Sequence, residues 1–361
     1  MPVSAYIHIP FCQKKCNYCA FVSFETLKYK EFYLKALEKQ ISKEYKGEVL
    51  KTLYIGGGTP SVLTVDEISK LLCLFNINKT TEITLEINPE TVDEKYLTLL
   101  KNTAINRLSI GVQSFDDEIL KSIGRIHTSH KAKECISTAQ KIGFNNISLD
   151  FIYGLPSQSL SNFKNTLEQA IKLKPSHISL YGLKIEENTV FHRHLPKNLP
   201  DDDMQANMYL SAVNFLSENG FNHYEISNFS VIGFESKHNL NYWNNDEYYG
   251  FGLGAHGYID GVRYSNGYNL QQYLNNPFFK DTEKMLSVKE ILEEAIILGF
   301  RKVDGINVLQ INKKFGINFD EIYKNTLNKF MKSGHIKKTP GGYCLSNDGF
   351  LLSNLILCEF L

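Results

Sequence analysis

Six short runs rich in β-branched and aromatic residues alternate with helical patterns along the first half of this chain. The runs are Tyr6–Ile9, Thr52–Ile55, Ile83–Ile87, Arg107–Val112, Ile147–Ile152 and His177–Tyr181. The helical patterns between them include Tyr29–Tyr45, Asp66–Phe75, Lys131–Ile142 and Asn162–Leu173. This alternation predicts an α/β fold with a parallel sheet and crossover helices. Six such units suit a partial (β/α)6 barrel, and we expect nearly continuous apolar strands that are covered on both faces.

The rest of the chain predicts two further regions. The predicted core domain covers residues 1–230, and residues 231–284 form a connecting segment rich in aromatic residues and Asn. We expect residues 186–280 to be mostly irregular, apart from the helix Met204–Glu218. Residues 285–361 regain helical periodicity. The expected elements there are helices over Val288–Gly299, Val308–Phe315 and Phe319–Ser333, then a hairpin over His335–Leu345. This order predicts a small winged-helix-like domain.

Composition narrows the class of protein further. The chain has 39 basic and 39 acidic residues, so its net charge indicates neither an acidic nor a basic partner. The N-terminal sequence MPVSAYIHIPFC lacks the pattern of a signal peptide, and no run of apolar residues is long enough to predict a membrane span. Seven cysteines, four of them scattered, do not resemble a secreted disulfide framework. We therefore expect a cytoplasmic protein.

Three cysteines form a compact motif directly after the first predicted strand. Cys12, Cys16 and Cys19 have the spacing C-x3-C-x2-C. Three thiolates can bind three irons of a [4Fe–4S] cluster and leave the fourth iron open to a small molecule. The alternatives are three unrelated buried cysteines or a zinc site that lacks a ligand. The position after a strand of an α/β pattern favours the cluster.

Other candidate ligand contacts lie at or near the ends of the next strands. Gly56-Gly57-Gly58-Thr59-Pro60 follows the second strand, and its glycines allow close backbone approach to a ligand or simply make a tight turn. Polar residues near the later strand ends are Glu86, Gln113, Ser114, Arg125 and Asp150. Each could be an ordinary polar group at a strand end. Several at one sheet edge would converge on a pocket.

The cysteine spacing resembles the signature of the radical S-adenosylmethionine (SAM) superfamily. In that superfamily SAM chelates the open iron through its amino and carboxylate groups. One electron from the reduced cluster then cleaves SAM to methionine and a 5′-deoxyadenosyl radical. The resemblance therefore implies a [4Fe–4S] cluster, SAM and an electron donor, and it makes residues 1–230 a radical SAM core domain.

The full set of motifs is similar to the oxygen-independent coproporphyrinogen III oxidase family and its relatives. The motifs are YIHIPFC, GGGTP, EINPE, RLSIGVQSF, GRIH, DFIYGLP, YEISNF and HNLNYW. They cover nearly the whole chain. By matching motif, the resemblance implies that the SAM sites are lined by Tyr6, Gly57, Gly58, Thr59, Glu86, Gln113, Arg125 and Asp150.

Two departures separate the branches of that family. The oxidase branch resembles C-x3-C-x2-C-x-C, with a fourth cysteine two residues after the third, where this chain has Phe21. The oxidases also have an N-terminal extension before the cluster motif, and here there is no room for it before Cys12. Both departures match the HemW branch, whose members bind haem and deliver it to acceptor haemoproteins. The alternatives are the oxidase, which converts two propionates to vinyl groups with loss of CO2, and a radical SAM enzyme acting on another substrate such as tRNA.

A last motif concerns haem. His238-Asn239-Leu240-Asn241-Tyr242-Trp243 contains the only tryptophan of the chain. It resembles a pattern proposed for haem binding in the HemW branch, although the oxidases carry similar strings. Imidazole is a common haem ligand and aromatic rings pack on porphyrins, so His238 is our candidate haem ligand and His256 a weaker one. The alternative is a histidine packed within the protein.

The C-terminal domain invites a nucleic-acid interpretation that we do not favour. Between Lys313 and Lys338 there are seven lysines and two acidic residues, but no arginine for base contacts. A solvated lysine-rich face is the simpler explanation. We expect no nucleic-acid partner, and a role in covering the barrel mouth or docking an acceptor protein. If the acceptors are enzymes of the respiratory chain, we also expect this protein to associate peripherally with the membrane.

Overall fold

The structure is a computed structural model, and it describes residues 3–361. The strands are β1 Val3–Ile9, β2 Leu50–Gly57, β3 Glu82–Ile87, β4 Arg107–Gln113, β5 Ile147–Tyr153, β6 His177–Gly182, β7 Asn222–Glu225, β8 Asn228–Ser230, β9 Tyr248–Phe251, β10 His256–Ile259, β11 Val262–Asn266, β12 Lys280–Met285, β13 Ile306–Asn307, β14 Ile336–Thr339 and β15 Gly342–Leu345. The helices are α1 Lys30–Glu44, α2 Val65–Leu72, α3 Glu94–Lys101, α4 Asp117–Ser122, α5 Ser129–Ile142, α6 Leu160–Lys172, α7 Val190–Arg193, α8 Asp202–Glu218, α9 Lys237–Trp243, α10 Leu270–Asn275, α11 Val288–Gly299, α12 Val308–Phe315, α13 Phe319–Ile322, α14 Lys324–Lys332, α15 Asn347–Leu351 and α16 Ser353–Cys358.

The six predicted strands are the centre of one mixed sheet. Strands β1 to β6 are parallel and lie side by side in chain order, with helices in the connections between them. Helices α2 to α6 each begin at a residue whose side chain caps the helix, and at the start of α2 Thr64 and Glu67 form a reciprocal capping box. This arrangement confirms the α/β fold with a partial (β/α)6 barrel. It brings the carboxyl ends of all six strands to one edge.

The strands differ from our expectation in their polarity. Apolar and polar residues alternate along most of their length, strictly so in β1, β3 and β4, and the prediction of nearly continuous apolar strands is wrong. In β1, for example, Ala5 and Ile7 belong to the buried apolar core, whereas Ser4 and His8 are buried polar residues on the opposite face. The apolar face packs against the helices. Hydrogen bonds such as that from Ser4 to Asn241 connect groups on the polar face, although the Thr84 hydroxyl and the Nε of Arg107 have no partner there.

Residues 231–284 also differ from the expected irregular segment. Strand β9 pairs in parallel with β1, and β10, β11 and β12 continue the sheet in antiparallel pairs beyond it. At the opposite edge, β8 and β7 extend the sheet antiparallel to β6. The local sequence did not reveal these strands because each is short and is defined by pairing with distant residues.

The C-terminal residues form the expected helices and hairpin. A three-stranded sheet in the order β13-β15-β14 packs with helices α11 to α16 around buried Phe300, Phe319 and Phe360. The predicted helix over Phe319–Ser333 is broken into α13 and α14, because Tyr323 leaves the helical conformation. Backbone hydrogen bonds join this region to β7. Within residues 3–361, no helix is both long and apolar enough to cross a membrane.

Candidate functional site

A cavity of about 480 Å³ lies at the carboxyl ends of the parallel strands. Ten of the predicted site residues line it: Cys12, Cys16, Cys19, Gly57, Gly58, Thr59, Glu86, Gln113, Arg125 and Asp150. They come from the ends of different strands, which is where parallel α/β sheets place their ligands. The predicted residues that do not line the cavity are Tyr6, Ser114, His238 and His256.

The cysteine loop is fixed against the second strand by its backbone. The amide of Cys12 donates to the carbonyl of Phe24 at 3.0 Å, and the amide of Thr59 donates to the carbonyl of Phe11 at 2.8 Å. The Phe11 side chain is fully buried and meets Tyr33 edge to face at 5.4 Å. The buried Phe11 side chain and these two backbone hydrogen bonds therefore fix Cys12 at the cavity wall.

The three thiols differ in their exposure. Cys12 is buried, whereas Cys16 and Cys19 are half-buried. Burial raises the pKa of Cys12, and it raises the pKa of Cys19 to about 11. Iron must therefore displace protons when it binds here. Within the described residues, no three His, Cys, Asp or Glu side chains converge on one metal ion, but in a cluster each thiolate has its own iron, so this convergence is not required.

The glycine segment is packed too closely for any side chain. Gly57 has a φ of +118°, and a Cβ atom there would lie 2.7 Å from the ring of His8. A Cβ atom on Gly58 would lie 2.8 Å from the carbonyl oxygen of Phe11 and 3.0 Å from the Sγ of Cys12. The glycines are therefore required for the contact between the cysteine loop and β2, and they leave bare backbone at the cavity wall.

Glu86 joins two parts of the site. Its carboxylate accepts a hydrogen bond from the Tyr54 hydroxyl at 2.8 Å and another from the Gly57 amide at 3.1 Å. Burial raises the pKa of Glu86 to about 7, against the opposing effect of the Tyr54 hydrogen bond. Tyr54 also lines the cavity, and sequence reasoning missed it. Its position two residues before the glycines, on the polar face of β2, was the available signal.

Asp150 forms part of the cavity floor. Its carboxylate accepts hydrogen bonds from the Ser109 hydroxyl at 2.7 Å and from the Ser148 hydroxyl at 2.9 Å. Burial raises the pKa of Asp150, and these serines oppose the shift. Serines at alternate positions of β4 and β5 thus support a carboxylate that points towards the ligand space.

Gln113 and Arg125 lie on the next side of the cavity. Gln113 has a φ of +66°, in the left-handed region, where the β4–β5 register shifts. Such a bulge redirects a side chain. One terminal nitrogen of Arg125 donates to Asn88 at 2.8 Å and to the Gly111 carbonyl at 2.7 Å, and the other lies 3.5 Å from the Sγ of Cys16. Asn88, just after β3, is a second residue that sequence reasoning missed.

Tyr6 lies one layer below the cavity. Its hydroxyl is 3.0 Å from the Nδ1 of His8, whose Nε2 is 2.7 Å from the carbonyl oxygen of Val22. Because that carbonyl can only accept, Nε2 carries the hydrogen and Nδ1 accepts from Tyr6. Burial lowers the pKa of His8 to about 4, so the ring is neutral. Through His8, Tyr6 thus supports Val22, which directly follows the cysteine loop.

The HNLNYW motif lies near the amino ends of the parallel strands, where the ring of His238 stacks at 5.0 Å on Tyr54, a residue that lines the cavity. His238, at the start of α9, is 2% exposed, and its Nδ1 and Nε2 lie 2.6 Å from the Thr52 hydroxyl and 2.8 Å from the Tyr242 hydroxyl. Its amide donates to Glu82, the first residue of β3. Burial lowers the pKa of His238 to about 3. Iron ligation by His238 stays an untested prediction, and it would require one of these ring contacts to break. His256 is exposed on β10.

Phe21 occupies the rim of the cavity. Its side chain is 66% exposed, and three lysines, Lys14, Lys15 and Lys184, line the same rim. The ammonium of Lys15 donates to the Phe21 carbonyl at 2.9 Å. The position therefore presents an apolar ring beside positive charge.

Comparison with known families agrees with this geometry. The model of the radical SAM superfamily matches residues 6–170, and the model of the HemN C-terminal domain matches residues 286–352. The first match contains the three cysteines and every strand end described above except that of β6. Membership of this superfamily implies a [4Fe–4S] cluster and SAM.

Several curated relatives match along their whole length. The heme chaperone HemW of Lactococcus lactis strain IL1403 is 38% identical over 370 residues, covering 100% of this chain and 97% of that protein. HemW of Bacillus subtilis strain 168 is 37% identical, with 99% of each chain covered. HemW of Escherichia coli K12 is 33% identical and covers 100% of this chain and 98% of that protein.

A solved structure shares the fold. The radical SAM enzyme coproporphyrinogen III oxidase (HemN) of Escherichia coli superposes with a TM-score of 0.87 at 24% identity, covering 99% of this chain and 90% of that one. At this identity the likeness concerns the fold alone. The full-length relatives at 33–38% identity carry the assignment: the chain belongs to the HemW family of haem chaperones, within the radical SAM superfamily.

Proposed function

We propose that this protein is a cytoplasmic haem chaperone, which binds haem and passes it to acceptor haemoproteins. The observation that carries this proposal is the similarity to curated HemW proteins, which covers at least 99% of this chain and at least 97% of each of those two proteins. In the same proposal the cavity at the strand ends holds a [4Fe–4S] cluster and SAM. An electron donor would reduce the cluster.

The chemistry of the cavity fits an iron–sulfur cluster with one open iron. Cys12, Cys16 and Cys19 offer three soft sulfur ligands, and no fourth cysteine lines the cavity within the described residues. Such a cluster supplies one-electron reducing chemistry. Arg125, 3.5 Å from the Sγ of Cys16, would donate to a ligand sulfur, and hydrogen bonds of this kind tune the reduction potential of a cluster.

The remaining cavity residues fit SAM, which has an amino-acid end and a ribose. The Nε of Arg125 is buried without a hydrogen-bond partner, and an anionic ligand oxygen would satisfy it. The bare backbone at Gly57 and Gly58 allows close approach of the amino-acid end. Asp150 and Gln113 lie on the floor and wall, where they would accept from or donate to hydroxyl groups. Glu86 would act by orienting the glycine segment.

The rim of the cavity is the part that suits haem. A porphyrin has a flat apolar body and two carboxylate groups. Phe21 offers an exposed ring, and the neighbouring lysines Lys14, Lys15 and Lys184 offer charges for the carboxylates. The position that holds a cysteine in the oxidases would here contribute to holding haem.

The proposal is tested by offering the reconstituted protein both kinds of substrate. The protein is loaded with iron and sulfide without oxygen. Haem is then titrated and followed by absorbance, and coproporphyrinogen III is supplied in parallel with SAM and a reductant. We expect haem binding, transfer of haem to an apo-haemoprotein, and no protoporphyrinogen. Formation of protoporphyrinogen would establish the oxidase alternative, and absence of haem binding would overturn the chaperone proposal.

Cysteine variants provide the matched control for the cluster. Substitution of Cys12, Cys16 and Cys19 by Ala should abolish the iron–sulfur absorbance after reconstitution. Cys358→Ala, which removes an exposed thiol far along the chain, should leave it unchanged. Equal loss from both variants would contradict the assignment of the ligands.

His238 is tested separately. Because both of its ring nitrogens have partners, we do not include it in the haem site at the rim. A His238→Ala variant should then bind haem with nearly wild-type affinity. Loss of haem binding in a variant that keeps its cluster would restore His238 as a ligand and would move the haem site to the other end of the barrel.

A further inference from the structure

A chain of buried hydrogen bonds runs beneath the cavity floor. The Ser148 hydroxyl contacts Asp150 at 2.9 Å and the Nδ1 of His177 at 2.8 Å. The Nε2 of His177 lies 2.8 Å from the Tyr224 hydroxyl. Ser148 and His177 are fully buried and Tyr224 nearly so. The chain thus connects the ligand space with the interior of the barrel across β5, β6 and β7.

Donor and acceptor chemistry fixes the direction of this chain. An ionised Asp150 can only accept, so the single hydrogen of the Ser148 hydroxyl points to it. The Nδ1 of His177 must then donate to the Ser148 oxygen, which leaves Nε2 to accept from Tyr224. The Tyr224 oxygen in turn accepts from the amide of Ser236 at 3.1 Å. The Ser179 hydroxyl, 3.1 Å from the Ser148 oxygen, joins the network as a further donor.

The other side of Asp150 is held in the same manner. Its second oxygen accepts from Ser109 at 2.7 Å. Ser109 and Ser148 thus donate to different oxygens of Asp150, which also lines the cavity. A carboxylate held in this way is prepared to accept hydrogen bonds from a pair of ligand hydroxyl groups.

We propose that His177 is a positioning residue for the ligand in the cavity. Through its Nδ1–H group it fixes the Ser148 hydroxyl on Asp150, and Asp150 then accepts from the vicinal hydroxyl groups of a ribose. Linked hydrogen bonds strengthen one another in a buried site, so loss of the first donor weakens the last acceptor. This inference rests on the proposed function, because it takes SAM as the ribose-bearing ligand.

Two substitutions of His177 test the roles of its two ring nitrogens one at a time. The amide nitrogen of Asn occupies nearly the position of Nδ1, whereas that of Gln is close to Nε2. His177→Asn therefore keeps the donor to Ser148, and His177→Gln loses it. We expect SAM affinity for the cluster-loaded protein to fall about tenfold in His177→Gln, the loss typical of one charge-assisted hydrogen bond, and to be largely preserved in His177→Asn.

A SAM analogue tests whether the effect of His177 acts through the ribose hydroxyl groups. An analogue of SAM without the ribose hydroxyl groups should bind wild-type protein and His177→Gln equally, because the contact that His177 supports is absent. His223→Gln is the matched control, since this buried histidine packs on Phe229 away from the cavity. It should not change SAM affinity.

The binding measurements distinguish failure of the proposed function from failure of the inference about His177. Wild-type protein that fails to bind SAM would refute the proposed function. Wild-type protein that binds SAM, with equal affinities for His177→Gln and His177→Asn, would overturn the inference alone. If His177→Gln does not fold, Ser148→Ala removes the next link, and it should weaken SAM but not the analogue. Unchanged SAM affinity in Ser148→Ala would likewise overturn the inference.

Discussion

Glu225 should make the stability of the protein fall as pH rises, and Glu225→Gln should remove this effect. Glu225 ends β7, is fully buried, and neither carboxylate oxygen has a hydrogen-bond partner among the described residues. Burial raises its pKa from 4.5 to about 7, against weaker opposing effects of the nearby Asn228, Trp243 and Arg301. An ionised carboxylate in such a place is costly.

The size of the effect follows from the pKa difference. The folded protein binds the Glu225 proton more tightly than the unfolded chain does. Its stabilising contribution is therefore fully present below about pH 4.5 and is lost as pH rises through about 7. A difference of 2.5 pKa units corresponds to about 3 kcal/mol. Glutamine has nearly the same shape and stays neutral, so Glu225→Gln should exceed wild type by no more than about 1 kcal/mol at pH 5 and by about 3 kcal/mol at pH 8.

The assay is urea unfolding without oxygen at pH values between 5 and 8, for wild type and variant in parallel. The difference between the two proteins isolates Glu225, because other titrating groups are common to both. Glu187→Gln makes the same chemical change at an exposed position and should follow the wild-type curve. Parallel pH profiles for wild type and Glu225→Gln would refute the reasoning.

Three further predictions follow from packing. Gly58→Ala should lower the free energy of unfolding by about 1–3 kcal/mol and reduce the iron content after reconstitution, because the added Cβ would collide with the cysteine loop. The control is Gly341→Ala, where there is space for a methyl group. Equal iron content in both variants would contradict this prediction. Arg125→Lys should weaken SAM binding in titrations about tenfold, since an ammonium cannot replace the guanidinium fork, and unchanged affinity would count against its role. Phe319→Ala should cost about 3–5 kcal/mol in urea unfolding, unlike exposed Phe32→Ala, and similar midpoints for the two would show that the C-terminal core is not needed.

Local patterns were sufficient for the elements that form the site. Each predicted strand and the three helical segments of the C-terminal domain occur, because neighbouring residues determine their periodicity. The cysteine spacing, the glycine segment and the strand-end residues Glu86 and Asp150 were predictable for the same reason. Parallel strands in chain order bring such positions to one edge without further information.

What could not be predicted depends on distant pairing. No local pattern indicates that His238 lies under the barrel beside Thr52, since that contact joins residues 186 positions apart. The support of Asp150 by His177 was also hidden, because the alternation of polar and apolar residues in the strands was not recognised. Those alternate residues form the polar inner face, and they carry the hydrogen bonds that orient the site.

The parallel pairing of β9 with β1 has a consequence for the order of events during synthesis. Ser4 pairs with Tyr248 and Ile7 with Phe251, so about 240 residues must follow β1 before its second edge is covered. At ribosomal speeds this takes roughly 10 to 50 seconds. Throughout that time β1, and the three cysteines that follow it, are attached to an open sheet edge. Iron delivered to the nascent chain would meet an incompletely supported loop, so cluster assembly belongs after translation has passed Phe251.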